Sequence, residues 1–281
     1  MASVLSSSFE LQPLRAEWIR SAWRLSSQSG WNQTEEDWRR LLRLPGSLVR
    51  AFYWEGEVRA SHSVIAYGKE VAWIGMVLVD QAYRGQGWGK QVLADALKIG
   101  KTSDVAGLDA TSLGKPIYAK NGFQDLVPII RWTGKSPEST RPSREVNEGW
   151  TPAILDLDRE CAGCDRSALL EDLANSNGRF FHRTVEGRTQ AYGVIRPGRE
   201  AWHLGPIVAK NVEDFQRVLE SLFATCIGEL VICDVLNPLA GPVLEKQGLS
   251  PARDLQRMTL PLRKDCLCGP EIWCGAGFEW G

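Results

Sequence analysis

The chain has 281 residues, of which 24 % are charged and 43 % hydrophobic, and its formal net charge is −1. That length is comfortable for two domains, each able to bury its own core. The near-zero charge argues against a nucleic-acid surface or an anionic membrane face, since both need a basic side. No apolar run approaches the roughly 18 residues of a membrane span, and Met1 to Leu14 lacks the basic-then-apolar order of a signal peptide. A cytoplasmic protein, acting alone or as a homodimer, is the expectation. All seven cysteines fall in the second half. Cys161-Ala-Gly-Cys164 has the spacing of a metal knuckle, but no second knuckle partners it and no histidine lies beside it, so buried reduced thiols and no metal are expected.

Taken in order, Leu14 to Leu25 is an amphipathic stretch carrying Trp18 and Trp23. A second helix begins after Thr34, where Thr-Glu-Glu-Asp is a capping-box signature and Trp38, Leu41 and Leu42 form the apolar face. Three strand-like runs follow at Ser47–Trp54, Val58–Tyr67 and Val71–Asp80, with Glu55-Gly56 and Gly68-Lys69 as the turns of a meander. Beyond a glycine-rich loop, Val92, Leu93, Ala96 and Leu97 mark a helix that Gly100 stops. A short strand at Val105–Ala110, a brief helix from Pro116 to Asn121-Gly122 and a strand at Phe123–Trp132 complete an ααβββαβαβ order.

The polar stretch Gly134 to Asn147, with its prolines and serines, reads as a linker. The same order then returns. Thr151-Pro152 starts one helix and Asp165 caps a second with Leu169, Leu170 and Leu173. Strands follow at Arg179–Glu186, Thr189–Arg196 and Glu200–Ala209. Asn211 caps a helix with Phe215, Val218, Leu219 and Leu222, before a strand at Glu229–Leu236, a short helix at Pro242–Gln247 and a strand at Leu255–Leu260. Lys115-Pro-Ile-Tyr-Ala-Lys-Asn-Gly-Phe123 aligns with Gly241-Pro-Val-Leu-Glu-Lys-Gln-Gly-Leu249 at the same place in both orders, which indicates a duplication. The expected fold is α/β (α+β), two tandem copies at 1–134 and 148–281 joined by 135–147, each a mixed, mostly antiparallel sheet flanked by helices.

Arg84-Gly-Gln-Gly-Trp-Gly89 lies between a hydrophobic strand and an amphipathic helix. Glycines let a backbone approach a ligand closely, and the first N–H groups of a helix are unsatisfied and point at whatever lies there. A pyrophosphate suits such a site because the helix dipole favours its charge, and Arg84 can add a bidentate contact. The spacing is not that of a P-loop, which ends Gly-Lys-Ser/Thr. Nor is it a good dinucleotide fingerprint, because a meander precedes it instead of the start of a βαβ unit.

Val79-Asp-Gln-Ala-Tyr-Arg-Gly-Gln-Gly-Trp-Gly89 resembles the Arg/Gln-x-x-Gly-x-Gly/Ala motif of the GNAT superfamily of acyl-CoA N-acyltransferases. Leu108-Asp-Ala-Thr111, Pro116-Ile-Tyr118 and Gly122-Phe123 resemble later segments of a tandem subgroup. So do Gly30-Trp31-Asn32 with Asp37-Trp38, Leu204-Gly-Pro-Ile-Val-Ala209 and the closing Gly277-Phe-Glu-Trp-Gly281. The resemblance implies acetyl-CoA as cosubstrate and transfer to a primary amine of a small molecule by direct transfer in a ternary complex. It implies that backbone amides of Gln86, Gly87, Trp88, Gly89 and Lys90 hold the pyrophosphate, with Arg84 and Gly85 in the same loop. Backbone groups of Met76, Val77, Leu78 and Val79 would bond the pantetheine arm and the thioester carbonyl. Tyr118 matches the tyrosine that donates a proton to the departing thiolate.

The general base is not visible. Asp109 is a candidate, either as base or as a structural group, because Asp234 holds the same place in the second copy. Asp80, Glu55 and His62 are weaker candidates. In the second copy the loop position is Ala209-Lys-Asn-Val-Glu-Asp214, without glycine and with two acids, and Leu244 stands where Tyr118 stands. That copy is expected to bind no CoA and to wall the acceptor pocket. Trp18, Trp23, Trp31 and Trp38 either line that pocket or fill core. An acyl-CoA sensor without transfer, and an O-acyl or longer-chain acyltransferase, are the competing readings.

Overall fold

The computed structural model of the chain describes residues 9–263 and 266–281, so the first eight residues, part of the stretch read above for a leader, lie outside the described region. A short strand β1 (Gln12–Pro13) pairs with β2 and the first helix α1 runs over Ile19–Gln28. The helix starts later than the amphipathic pattern predicts because the Leu14 amide bonds the Val49 carbonyl at 2.9 Å and Arg15 is extended. Helix α2 (Glu35–Arg43) has the capping box read from the sequence: Thr34 Oγ1 accepts from the Asp37 amide, and Asp37 accepts from the Thr34 amide at 2.7 Å. The meander β2 (Ser47–Trp54), β3 (Glu57–Tyr67) and β4 (Val71–Val79) leads to α3 (Trp88–Gly100), β5 (Val105–Thr111), α4 (Lys115–Lys120) and β6 (Gln124–Lys135).

The second half repeats this order. A strand β7 (Val146–Glu148) falls at the end of the stretch read as linker, because Val146 and its neighbours pair with β8. Then come α5 (Ala153–Ala162), α6 (Ser167–Asn175), β8 (Arg179–Val185), β9 (Arg188–Arg196) and β10 (Trp202–Ala209). The predicted start of β10 at Glu200 is too early: the amides of Glu200 and Ala201 bond Asn32 Oδ1, which ties this corner to the first half. The order finishes with α7 (Val212–Thr225), β11 (Leu230–Val235), α8 (Ala240–Lys246) and β12 (Ser250–Leu260). A further short strand, β13 (Ile272–Cys274), has no counterpart among the described residues of the first half.

All thirteen strands form one mixed sheet, in the order β1-β2-β3-β4-β5-β12-β6-β11-β13-β10-β9-β8-β7. The two copies have exchanged their last strands. β12 of the second half lies against β5 of the first, β6 of the first lies against β11 of the second, and β6 and β12 pair with each other in the centre. The exchange brings buried ion pairs into register. Arg257 on β12 stands opposite Asp109, with Nε–Oδ1 at 2.8 Å and Nη2–Oδ2 at 2.9 Å, and Arg131 on β6 stands opposite Asp234 at 2.7 and 2.8 Å.

On one face α1, α2, α5 and α6 share a single apolar core that crosses from one half to the other, including Leu25, Trp38, Leu170, Tyr192 and Trp280. On the other face α3 and α7 cover separate cores, with Leu93 and Leu97 in one and Phe215 and Leu222 in the other. Cys161 and Cys164 are buried, and burial pushes their thiols up to about 11 and about 12. Among the described residues no helix is long and apolar enough to cross a membrane, and no group of three potential metal-binding side chains gathers.

Candidate active site

The sheet forks between β4 and β5. These strands pair in parallel only from Val71–Trp73 to Val105–Gly107, and beyond that they separate. Two local features drive them apart. The Trp73 indole sits against Gly107, where an added Cβ would lie 2.8 Å from the ring, and its Nε1 donates to the Phe278 carbonyl at 2.9 Å. Further along, Met76 has φ of 50° and marks a bulge: the β3 partner register shifts between Ser61 and Ser63, and Ser61 Oγ donates to the Met76 carbonyl at 3.0 Å. The β4 edge from Gly75 to Val79 is thereby turned to an open slot, where unpaired backbone groups require a partner.

A cavity of about 490 Å³ fills the fork. It passes through the sheet. Tyr118 and Leu93, from the α3 side, line one end, while Leu255 and Phe278, which pack in the core under α1 and α2, line the other. All of Met76, Val77, Leu78, Val79, Arg84, Gly89, Asp109 and Tyr118 line this cavity. Four positions of the loop, Gly85, Gln86, Gly87 and Lys90, are exposed at its rim without being among the lining residues.

At its mouth Gly85 and Gly87 have φ of 80° and 83°, a left-handed backbone that favours glycine. Gly87 is the N-cap of α3, and no side chain caps the helix, so the first-turn amides face outward. Lys90 departs from the expectation: its amide donates to the Gly87 carbonyl at 3.1 Å within the first turn. Gly89 is not demanded by packing, since a Cβ there would meet only Val79 Cγ2 at 3.8 Å. The Trp88 side chain turns inward, stacked on Tyr83 with centroids 4.7 Å apart and edge-on to Phe52, so only its backbone is offered to the slot. Arg84 reaches back over the loop, its Nε donating to the Val79 carbonyl at 3.2 Å.

Tyr118 projects from α4 into the cavity. Gly114 makes room for it, because a Cβ there would lie 2.9 Å from the ring. Burial pushes its phenol up to about 12, so it stays protonated through the neutral range and can donate. Asp109 is the single carboxylate among the lining residues, and both its oxygens are held by Arg257. Burial raises its pKa against the pull of that guanidinium. The geometry makes Asp109 a strut across the strand exchange, one half of a cross-copy ion pair that Asp234 repeats with Arg131.

The remaining base candidates do not line the cavity. Asp80 caps the turn at Ala82 and pairs with Arg59 at 2.9 Å; Glu55 accepts from Tyr83 at 3.2 Å. His62 is buried against Asp95 at 2.8 Å, and desolvation lowers its pKa. Of the four tryptophans in the opening segment, Trp31 lines the cavity, Trp38 and Trp18 are core, and Trp23 donates to the Gln33 carbonyl at 3.0 Å. Sequence reasoning assigned no role to Leu255, Arg253 or Phe278, all lining residues from the second half. Phe278 belongs to the quoted closing motif, which was the one available signal.

The corresponding fork in the second half, between β10 and β11, is closed. These strands pair only at Trp202–His203 with Val231–Ile232, and past that point β13 enters between them, bonding to both. The α7 start is capped by the Asn211 side chain, which accepts from the Asp214 amide at 2.9 Å, while Asp214 is itself paired with Arg183. Leu244, in the place of Tyr118, is fully buried. A wider depression of about 640 Å³ lies at this end, lined by Arg183, Arg188, Asn211 and Asp214 among others, but the fork behind it is filled.

Comparison with known proteins agrees with this geometry. Residues 15–123 match the model of the acetyltransferase (GNAT) family, and residues 154–265 match that of an acetyltransferase (GNAT) domain. The chain is 26 % identical over 220 residues to holothin acyltransferase of a Pseudoalteromonas species, covering 76 % of this chain and 72 % of that one. It is 25 % identical over 221 residues to the uncharacterized N-acetyltransferase YitH of Bacillus subtilis, covering 76 % and 78 %. A candidate acetyltransferase from Pyrococcus horikoshii superposes with a TM-score of 0.80 at 20 % identity, over 100 % of this chain and 99 % of that one. A tandem GNAT protein from the clavulanic acid biosynthesis pathway superposes at 0.63 and 16 % identity, over 89 % and 97 %. Two matched domains, one forked open sheet and its closed repeat make the chain a member of the GNAT acyltransferase superfamily, with two GNAT domains in tandem.

Proposed function

We propose that the chain is an N-acetyltransferase that moves the acetyl group of acetyl-CoA to a primary amine of a small molecule, directly, with both substrates bound together. The observation that carries this reading is the β4 edge at Gly75–Val79 that β5 leaves unpaired, running from an uncapped helix start to a half-buried, protonated Tyr118. A pantetheine arm is an extended amide chain and fits such an edge as an added strand does. Amides of the Gln86–Gly89 segment would hold the pyrophosphate, with Arg84 beside them. When bound, acetyl-CoA supplies the activated acyl group as a thioester.

In this reading residues 1–134 carry the catalytic machinery, 135–147 connect, and 148–281 furnish the wall of the acceptor chamber. Tyr118 delivers its phenolic proton to the leaving sulfur. With Asp109 held by Arg257, no lining side chain among the described residues is left to take the proton of the amine. The acceptor enters neutral and loses its proton to water, so log(kcat/KM) should rise with pH up to the acceptor's own pKa.

Thiol release from acetyl-CoA, measured against a panel of small amines, tests the transfer. Release no faster than with acetyl-CoA alone would sink it in favour of an acyl-CoA sensor. Calorimetry should find one CoA site per chain; two equivalent sites would overturn the single-slot reading. The relative's name specifies an acyltransferase and not an acetyltransferase, so longer acyl-CoAs belong in the same panel.

A further inference from the structure

The cavity carries three charged side chains: Arg84, Asp109 and Arg253. Asp109 is neutralised by Arg257, and Arg84 folds back over the glycine loop toward the Val79 carbonyl. Arg253 stands apart from both. It lies on β12, the strand donated by the second half, two residues before Leu255, which is opposite Thr111 at the end of β5. Leu255 packs with Met76 and Phe278 in the core under α1 and α2, so this part of the cavity lies across the sheet from Tyr118.

Arg253 is half-buried, and among the described residues its side chain has no ion pair, hydrogen bond or ring contact. Its backbone partner across the sheet is Arg131, a second cation whose charge is already spent on Asp234. Desolvation lowers the Arg253 pKa, Arg131 adds to that, and Asp234 offsets part of it. A half-buried guanidinium whose neighbouring carboxylate, Asp234, is already held by Arg131 gains by meeting an anion.

We infer that Arg253 is the anion subsite of the acceptor chamber, and that the acceptor is an amine bearing a carboxylate or a comparable anionic group. This rests on the transferase reading for the word acceptor, but the subsite itself does not. The neighbouring apolar walls, Trp31, Leu255 and Phe278, suit a hydrophobic or aromatic body between the amine and the anion. The chamber is thereby selective against simple cationic polyamines, since among the described residues no free carboxylate lines it. The second half then does more than close the chamber: it supplies the charge that selects the substrate.

The test uses amine-free probes at equilibrium, in the full chain saturated with CoA. Affinities for phenylacetate and for neutral phenylacetamide are measured by calorimetry or by Trp fluorescence. Wild type should favour phenylacetate by about tenfold or more, the worth of one charge-assisted hydrogen bond. In Arg253→Gln the ratio should fall to near one, and in Arg253→Lys it should be intermediate. A wild-type ratio near one, no binding of phenylacetate at millimolar concentration, or an unchanged ratio in the Gln variant would each overturn the subsite. No turnover enters this measurement, so failure of thiol release would count against the transferase reading and leave the ratio standing.

Discussion

The two halves of this chain share an element order but treat the same weakness in opposite ways. A parallel pair that forks leaves backbone donors and acceptors without partners inside a sheet, and such groups must be satisfied. In the second half the chain satisfies them itself, by sending β13 into the fork between β10 and β11. In the first half it leaves the fork between β4 and β5 open. The helix starts follow suit: α7 is capped by Asn211, with Asp214 of its first turn held by Arg183, whereas α3 begins at a bare glycine. The closed copy thus shows what the open copy lacks. In the proposed reading an extended chain would lie along the strand edge and an anion at the helix start.

The largest effects are expected where the copies are most alike, at the exchanged ion pairs. Asp109→Asn strands Arg257, and Asp234→Asn strands Arg131, each in a buried site. Either should cost about 3–5 kcal/mol in urea denaturation. The copies differ in one respect. Burial works against both carboxylates; it raises the pKa of Asp109, while Arg131, with His203 and Arg196 nearby, holds that of Asp234 below its ordinary value. If one variant costs several kcal/mol and the other almost nothing, the pairs are not equivalent struts.

Next in size is Tyr118, the residue that the second copy replaces with Leu244. Tyr118→Phe should lower thiol release by about a hundredfold or more while CoA affinity changes less than threefold. Normal turnover in the variant would remove Tyr118 from the proton path. The glycine loop should give a smaller effect. Gly87→Ala forces a side chain into φ of 83°, which should cost about 1 kcal/mol of stability and weaken CoA binding about tenfold. Its counterpart, Asn211→Ala, removes a cap worth about 1 kcal/mol and should leave CoA affinity alone. Equal loss of CoA affinity in both would erase the distinction between the copies.

The smallest effect concerns the closing segment. Glu279 is buried beside Arg196 and accepts from Gln33 at 2.7 Å, and burial pushes its carboxyl up to about 7. A folded-state pKa above the unfolded value favours folding below the ordinary carboxylate range, and that advantage is lost as pH rises toward 7. Wild type should therefore lose Tm between pH 5 and 8 relative to Glu279→Gln, by a few degrees. Parallel Tm curves for the two proteins would show that Glu279 does not titrate in this window.

Much of the first copy could be read from sequence because its signals are local. The capping box at Thr34–Asp37, the turn at Glu55-Gly56, the glycine loop and the repeat of Lys115–Phe123 in Gly241–Leu249 each depend on residues a few positions apart. The loss of the second site was also legible, since Ala209–Asp214 lacks glycine and Leu244 lacks a hydroxyl. Where reading failed locally, a distant partner was the cause: Leu14 is drawn from the helix by Val49, and Glu200 from the strand by Asn32. Trp88, read as part of the ligand loop, turned inward because Phe52 and Tyr83 offer it a core.

The amino-acid sequence by itself determined the duplicated element order, the glycine-rich loop and the tyrosine that only one copy carries at position 118, because periodicity, caps and glycine conformations act over a few residues. Only the tertiary structure decided that the last strands trade places, that β13 fills one fork and leaves the other open, and that Arg253 and Phe278 reach the first copy's slot. Strand partners more than a hundred residues apart, such as Asp109 and Arg257, are chosen by register and by burial of charge against charge. Neither leaves a trace in the residues on either side.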